Sequence, residues 1–231
     1  RYLFLHYICV SVKHWFCLFI LPVLFLLSCK KETEKLSILG EEYFSYEIGQ
    51  NRYYQCDSIL YNSFDAQNPK RVVSFIIKEY VKDTFTDNEG KEVFRLERYI
   101  SYDNDTSYSF FNLATIQIDK LGIQFYKNNA RYVRMSFPIR EKRSWDGNIY
   151  NSFERQRYEY TSVNEPYSNG FMNFDETVGI NQKDEQTIIS EKIENYTYGK
   201  NFGLIEKNVK NIDIDGSDKD GFEIIWKLTS I

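Results

Sequence analysis

From Tyr43 to the C-terminus, apolar and polar side chains alternate with period two, in runs broken by Gly, Asn, Asp and Pro. Residues 52–61 set Tyr53, Gln55, Asp57, Ile59 and Tyr61 on one face and Tyr54, Cys56, Ser58 and Leu60 on the other. Residues 71–86 read as a long strand with Val73, Phe75, Ile77 and Val81 in phase, and Asp87-Asn88-Glu89-Gly90 then supplies turn chemistry. Residues 92–102 return with Phe94, Leu96, Ile100 and Tyr102 alternating, so the two runs predict a β-hairpin. Further strands are expected over 108–118, 123–126 and 131–137, the last ended by Pro138 because proline donates no ladder hydrogen bond. Residues 139–149, which contain Trp145-Asp146-Gly147-Asn148, read as a long loop with room for a helical turn.

The C-terminal half keeps the habit. Strands are expected over 153–163, closed by Asn164-Glu165-Pro166, and over 171–181, 186–198, 201–214 and 222–230. Glu191, Lys192 and Glu194 also suit a helix over 186–198, but Thr187-Ile188-Ile189 and Tyr196-Thr197-Tyr198 favour a strand. Ten to twelve short antiparallel strands with local turns predict an all-β meander. Its expected form is a barrel or a strongly curved open sheet, with a lipocalin-like barrel as the nearest architecture.

The first residues do not follow this pattern. Lys13 and His14 precede an apolar run over 16–27, which has the length of a signal-peptide core and closes on Leu26-Leu27-Ser28-Cys29 before Lys30-Lys31-Glu32. Leu-Leu-Ser-Cys resembles the lipobox of bacterial lipoproteins. That resemblance implies cleavage before Cys29, acylation of Cys29 and a membrane anchor through its lipid. Residues 2–28 together are long enough for a plain membrane helix, the alternative reading. The expected organisation is therefore a signal peptide over 1–28, the lipidated cysteine and a charged tether over 29–40, and one β domain over 41–231. Residues 1–12 read as sequence upstream of the true start.

Removing residues 1–28 changes the chemistry on offer. Both histidines, His6 and His14, leave, and so do Cys9 and Cys17. Cys56 is then the one free thiol, which excludes an internal disulfide and reads as a buried structural cysteine. Loss of Arg1 and Lys13 leaves acidic residues in excess by about six. A mixed, acidic surface argues against nucleic acid as a partner, because phosphate backbones need clustered Lys and Arg. The 19 tyrosines and 18 phenylalanines suit half-buried pleated surfaces and fit the β pattern.

Without histidine, Ser-His-Asp and Cys-His catalysis and ordinary zinc sites are excluded for the mature chain. No catalytic residues and no cofactor are assigned. The acidic run from Asp213 to Gly221 departs from the EF-hand pattern at its fifth and sixth places and reads as a hairpin turn rather than a calcium loop. Arg131, Arg134, Arg140, Lys142 and Arg143 form a local basic run, read as a solvated strand edge and loop. Tyr53, Tyr54, Tyr158, Tyr160 and Trp226 are the candidate ligand-binding residues, since aromatic side chains on a rigid sheet line cavities or stack on sugars. Cross-strand packing is the competing use of the same rings.

The stretches Leu27-Ser28-Cys29, residues 54–61, Asp83–Asp87 with Gly90, residues 95–99 and residues 198–205 resemble uncharacterised envelope lipoproteins of Bacteroidetes-type bacteria. Where those relatives tend to carry Trp in a G…W-x-Y stretch, this chain has Gly49-Gln50-Asn51-Arg52-Tyr53-Tyr54. The resemblance implies an outer-membrane lipoprotein, periplasmic or surface-facing, with an all-β domain, and brings no activity with it. The expected role is non-enzymatic binding of a hydrophobic small molecule or of another envelope component. The alternative is a glycan-binding or carboxylate-based glycoside hydrolase module, which needs two acids about 5–10 Å apart in a cleft.

Overall fold

A computed structural model of the chain describes residues 39–102 and 107–231. The leader, Cys29 and most of the tether lie outside the described residues. After one helical turn at Glu41–Tyr43, twelve strands follow in sequence: β1 Asn51–Tyr61, β2 Lys70–Thr86, β3 Glu92–Tyr102, β4 Ser109–Asp119, β5 Gly122–Lys127, β6 Ala130–Ser136, β7 Ser144–Asp146, β8 Arg157–Ser168, β9 Asn173–Gln186, β10 Ser190–Gly199, β11 Gly203–Asp215 and β12 Asp218–Ser230. Sequence neighbours pair antiparallel from β1 to β6 and from β7 to β12, and β1 pairs with β12. The result is a single up-and-down sheet whose two free edges are β6 and β7.

Those edges meet. Val133 N donates to Gly147 O at 2.9 Å, and Trp145 Nε1 donates to Val133 O at 2.8 Å. Tyr160 braces the same seam, its hydroxyl donating to Ser136 O at 2.7 Å while accepting from Ser136 N at 3.1 Å. The sheet is thereby a nearly closed twelve-stranded barrel, which hides the strand edges that an open sheet exposes.

Turn chemistry explains the short connections. Asp87 Oδ1 accepts from the Glu89 and Lys91 amides and shapes the β2–β3 turn. Asn128 and Asn129 both adopt positive φ, 51° and 59°, the geometry of a tight hairpin turn between β5 and β6. The acidic run ends up as the β11–β12 hairpin, with Asp215 opposite Asp218.

Three sequence expectations need correction. The 139–149 loop contains a strand, β7, whose three residues are too few for alternation to reveal. Strand β8 runs through Asn164-Glu165-Pro166 to Ser168. It does so because β7 covers only its first residues, so Pro166 sits on an uncovered edge where no donor is needed. Register shifts along β8 and a positive φ of 59° at Asn164 mark this stretch as irregular strand. The basic run is not uniformly solvated, since the Arg134 side chain is only 13% exposed and lies inside the barrel wall.

Apolar side chains inside the barrel form two clusters. One gathers Leu96, Ile116, Ile123, Met135, Tyr160, Ile180 and their neighbours, and the other gathers Tyr54, Cys56, Ile77, Ile205, Trp226 and Leu228.

Candidate functional site

Three neighbouring strands place the first part of the site. Arg52 on β1 pairs with Glu79 on β2, and Glu79 pairs with Arg98 on β3, so three charges stand side by side on the inner face. Each is in phase with buried apolar neighbours: Arg52 with Tyr54 and Cys56, Glu79 with Ile77 and Val81, Arg98 with Leu96. Arg98 donates from Nε and Nη2 to Glu79 Oε2 at 2.8 and 2.7 Å. Exposure is 8% for Arg98 and 1% for Glu79, so this ion pair is shielded from solvent screening.

Arg52 makes no hydrogen bond from any of its three nitrogens among the described residues, and Glu79 Oε1 is likewise without one. The Arg52 guanidinium instead lies 3.9 Å from the centre of the Tyr46 ring. Gly203 makes room for it. A Cβ there would come within 2.7 Å of Arg52 Nη1, and φ at this residue is +71°, so both space and backbone favour glycine.

The second part comes from the far wall. Arg134 on β6 donates to Gln182 Oε1, lies 3.6 Å from Glu194 Oε1 and sits over the rings of Tyr196 and Phe125. Lys207 on β11 pairs with Tyr196 on one side and Trp226 on the other, and its Nζ stands 5.5 and 5.0 Å from those ring centres. Burial, with Arg134 and then Arg98 behind it, holds the Lys207 ammonium down at about 7. Lys127, the last residue of β5, is also lowered, by burial and then by the same two arginines.

A cavity of about 50 Å³ lies between these groups. Its walls are Arg98, Lys127, Arg134 and Lys207 together with the apolar and aromatic faces of Ile116, Phe125, Leu204, Tyr46, Tyr196, Tyr198 and Trp226. Part of the Lys127 side chain reaches solvent, and the cavity it lines is partly open. Burial and then the Glu79 carboxylate push the Tyr46 hydroxyl up to about 12, so it stays protonated. Trp226 is 7% exposed, and its Nε1 finds no acceptor among the described residues. Such an arrangement can neutralise and hydrogen-bond a negative group. No carboxylate lines the cavity, so it does not offer the two-acid geometry that glycoside hydrolysis needs.

Of the residues nominated from sequence, Trp226 lines the cavity and packs on Tyr54 at 5.8 Å. Tyr54 is buried behind it, its hydroxyl donating to Leu204 O at 3.1 Å. Tyr158 packs against Trp145, with a ring-centre distance of 6.0 Å, and Tyr160 braces the seam. Tyr53 points to the opposite face of β1, near Tyr108. Cys29 lies outside the described residues. Cys56 is buried, and burial pushes its thiol up, which suits a packing role. Among the described residues, no group of three or more His, Cys, Asp or Glu side chains is placed to hold a metal ion.

No protein-family model matches the chain, and no curated protein sequence does. Two solved structures show a loose likeness. One is a candidate exported protein with a YmcC-like fold from Bacteroides fragilis, 9% identical, covering 80% of this chain and 97% of its own, with a TM-score of 0.37. The other is a candidate lipoprotein from Parabacteroides distasonis, 12% identical, covering 81% and 97%, with a TM-score of 0.36. Both likenesses are too loose to transfer a fold or a role to this chain.

Proposed function

We propose that the chain is a non-enzymatic binding module of the bacterial cell envelope, tied to the outer membrane by a lipid on Cys29, with a ligand site inside the barrel. The observation that carries the binding reading is the partly open cavity lined by cations and aromatic rings. The anchor rests on the lipobox-like Leu26-Leu27-Ser28-Cys29. Of the two ligand classes expected from sequence, the geometry favours a polar envelope component. A hydrophobic molecule of ordinary size needs a pocket of roughly 300–1,000 Å³, and this one is about 50 Å³ with four cations in its wall.

The anchor is tested by growing cells on radiolabelled palmitate. Label is expected in the wild-type protein and absent from Cys29→Ala, which then leaves the membrane fraction. A Cys29→Ala protein that stays membrane-bound contradicts the anchor. For the barrel, native mass spectrometry of the protein released from membranes should show a co-purifying small ligand.

A further inference from the structure

The cavity and its surroundings hold more positive charge than their own carboxylates neutralise. Arg52, Arg98, Lys127, Arg134 and Lys207 gather there, while Glu79 is engaged by Arg98 and Glu194 lies beside Arg134. Among the described residues, neither Lys127 nor Lys207 has an ion-pair partner. The excess is local, because the chain as a whole carries a net charge of −4. Uncompensated cations inside a protein are costly, and the cost is relieved when a counter-charge enters. Trp226 Nε1 adds a buried neutral donor that awaits an acceptor.

Size narrows the class. A cavity of about 50 Å³ has room for a compact polar group and not for a drug-sized molecule, which fits a single tetrahedral oxyanion group. The apolar walls lower the local dielectric and strengthen each charge-assisted contact.

We propose that this cavity is an oxyanion site, holding one phosphate or sulfate group between Arg98, Arg134 and Lys207 with Trp226 Nε1 as a fourth donor. The inference rests on the reading of the barrel as a binding module and adds the chemical class of its ligand. The group is either a free ion or the terminus of a larger envelope molecule that protrudes past Lys127.

The test uses full-length protein in neutral detergent, followed by tryptophan fluorescence and thermal unfolding. Sodium phosphate, sodium sulfate and glycerol 3-phosphate are titrated at pH 6 against sodium chloride of equal ionic strength, which separates binding from screening. Saturable changes with the oxyanions and not with chloride are expected. Preference for glycerol 3-phosphate over inorganic phosphate assigns the site to an esterified group, and the reverse assigns it to the free ion. Lys207→Met keeps the aliphatic stem and removes a charge the fold does not need. It should fold with an unfolding temperature at or above wild type, yet weaken the oxyanion about tenfold or more. Lys82→Met, on the outer surface, should leave binding unchanged.

Oxyanion binding that Lys207→Met leaves at wild-type strength overturns the inference, and so does binding that is lost in Lys82→Met. If none of the anions binds but a neutral molecule co-purifies, the oxyanion assignment falls and the binding-module reading stands. If nothing binds and nothing co-purifies, both fall.

Discussion

Burial and the charges of Arg134 and Arg98 hold the Lys207 ammonium down at about 7, whereas the same group in an unfolded chain titrates near 10.5. The groups that face it are Arg134 on β6, Arg98 on β3, Lys127 on β5, Glu194 and Tyr196 on β10 and Trp226 on β12, and only Glu194 opposes the shift appreciably. Between pH 7 and pH 10.5 the folded state therefore binds fewer protons than the unfolded one, so stability from this residue rises with pH. Lys127 is lowered too and adds the same sign. Tyr43, Tyr46 and Tyr158, pushed up to about 12 chiefly by burial, work the other way, and their contribution is lost as pH climbs from about 10 to 12. In chloride buffers the urea midpoint should rise from pH 7 to about pH 9.5 and then fall, with a shallower rise in Lys207→Met. A midpoint that declines from pH 7 to 9.5 contradicts this placement of the charge. The signal for these residues was present in the sequence. Arg52, Glu79 and Arg98 occupy the same phase as Tyr54, Ile77 and Leu96, and Lys207 follows Ile205 in the same way. Charged residues at inward positions mark a polar interior, but alternation alone does not say which strands bring them together.

At the level of elements, the long strands were legible and the seam was not. Strands β1 to β3 carry enough alternating positions, with Asp87–Gly90 as a turn between two of them, to define their faces and their pairing. Strand β7 has three residues, and its contact with β6 joins segments separated by the cis Phe137–Pro138 bond and a tight turn. Nothing local encodes that contact except Trp145, whose indole crosses the gap to Val133. Tyr158 stacks over Gly147 beside it, where a Cβ would come within 2.3 Å of the ring, so a small residue is required at this corner. Trp145→Phe removes the indole donor and leaves most of the packing. It should cost about 1 kcal/mol of stability and speed amide exchange at Val133 relative to β1 and β12. Unchanged protection at Val133 contradicts the view that the seam is held there.

Across the whole molecule, two apolar clusters enclose a charged belt, and the cavity draws its walls from both: Ile116, Phe125, Tyr196, Tyr198 and Leu204 from one and Trp226 from the other. A barrel suits this arrangement because its wall supplies backbone hydrogen bonds on every side, leaving the interior side chains free to specify a ligand. The meander and the number of strands follow from turn spacing along the chain. The charge of the cavity does not, because it depends on Arg98, Lys127, Arg134 and Lys207 converging from β3, β5, β6 and β11 across the nearly closed sheet. The measurement closest to the central claim is a crystal structure of the protein soaked in selenate, a tetrahedral oxyanion whose selenium is located by anomalous scattering. The oxyanion site predicts an anomalous peak inside the barrel, with selenate oxygens about 2.7–3.2 Å from Arg98, Arg134, Lys207 and Trp226 Nε1. An empty cavity in the same crystal, with selenate held only by lysines on the outer surface, contradicts it.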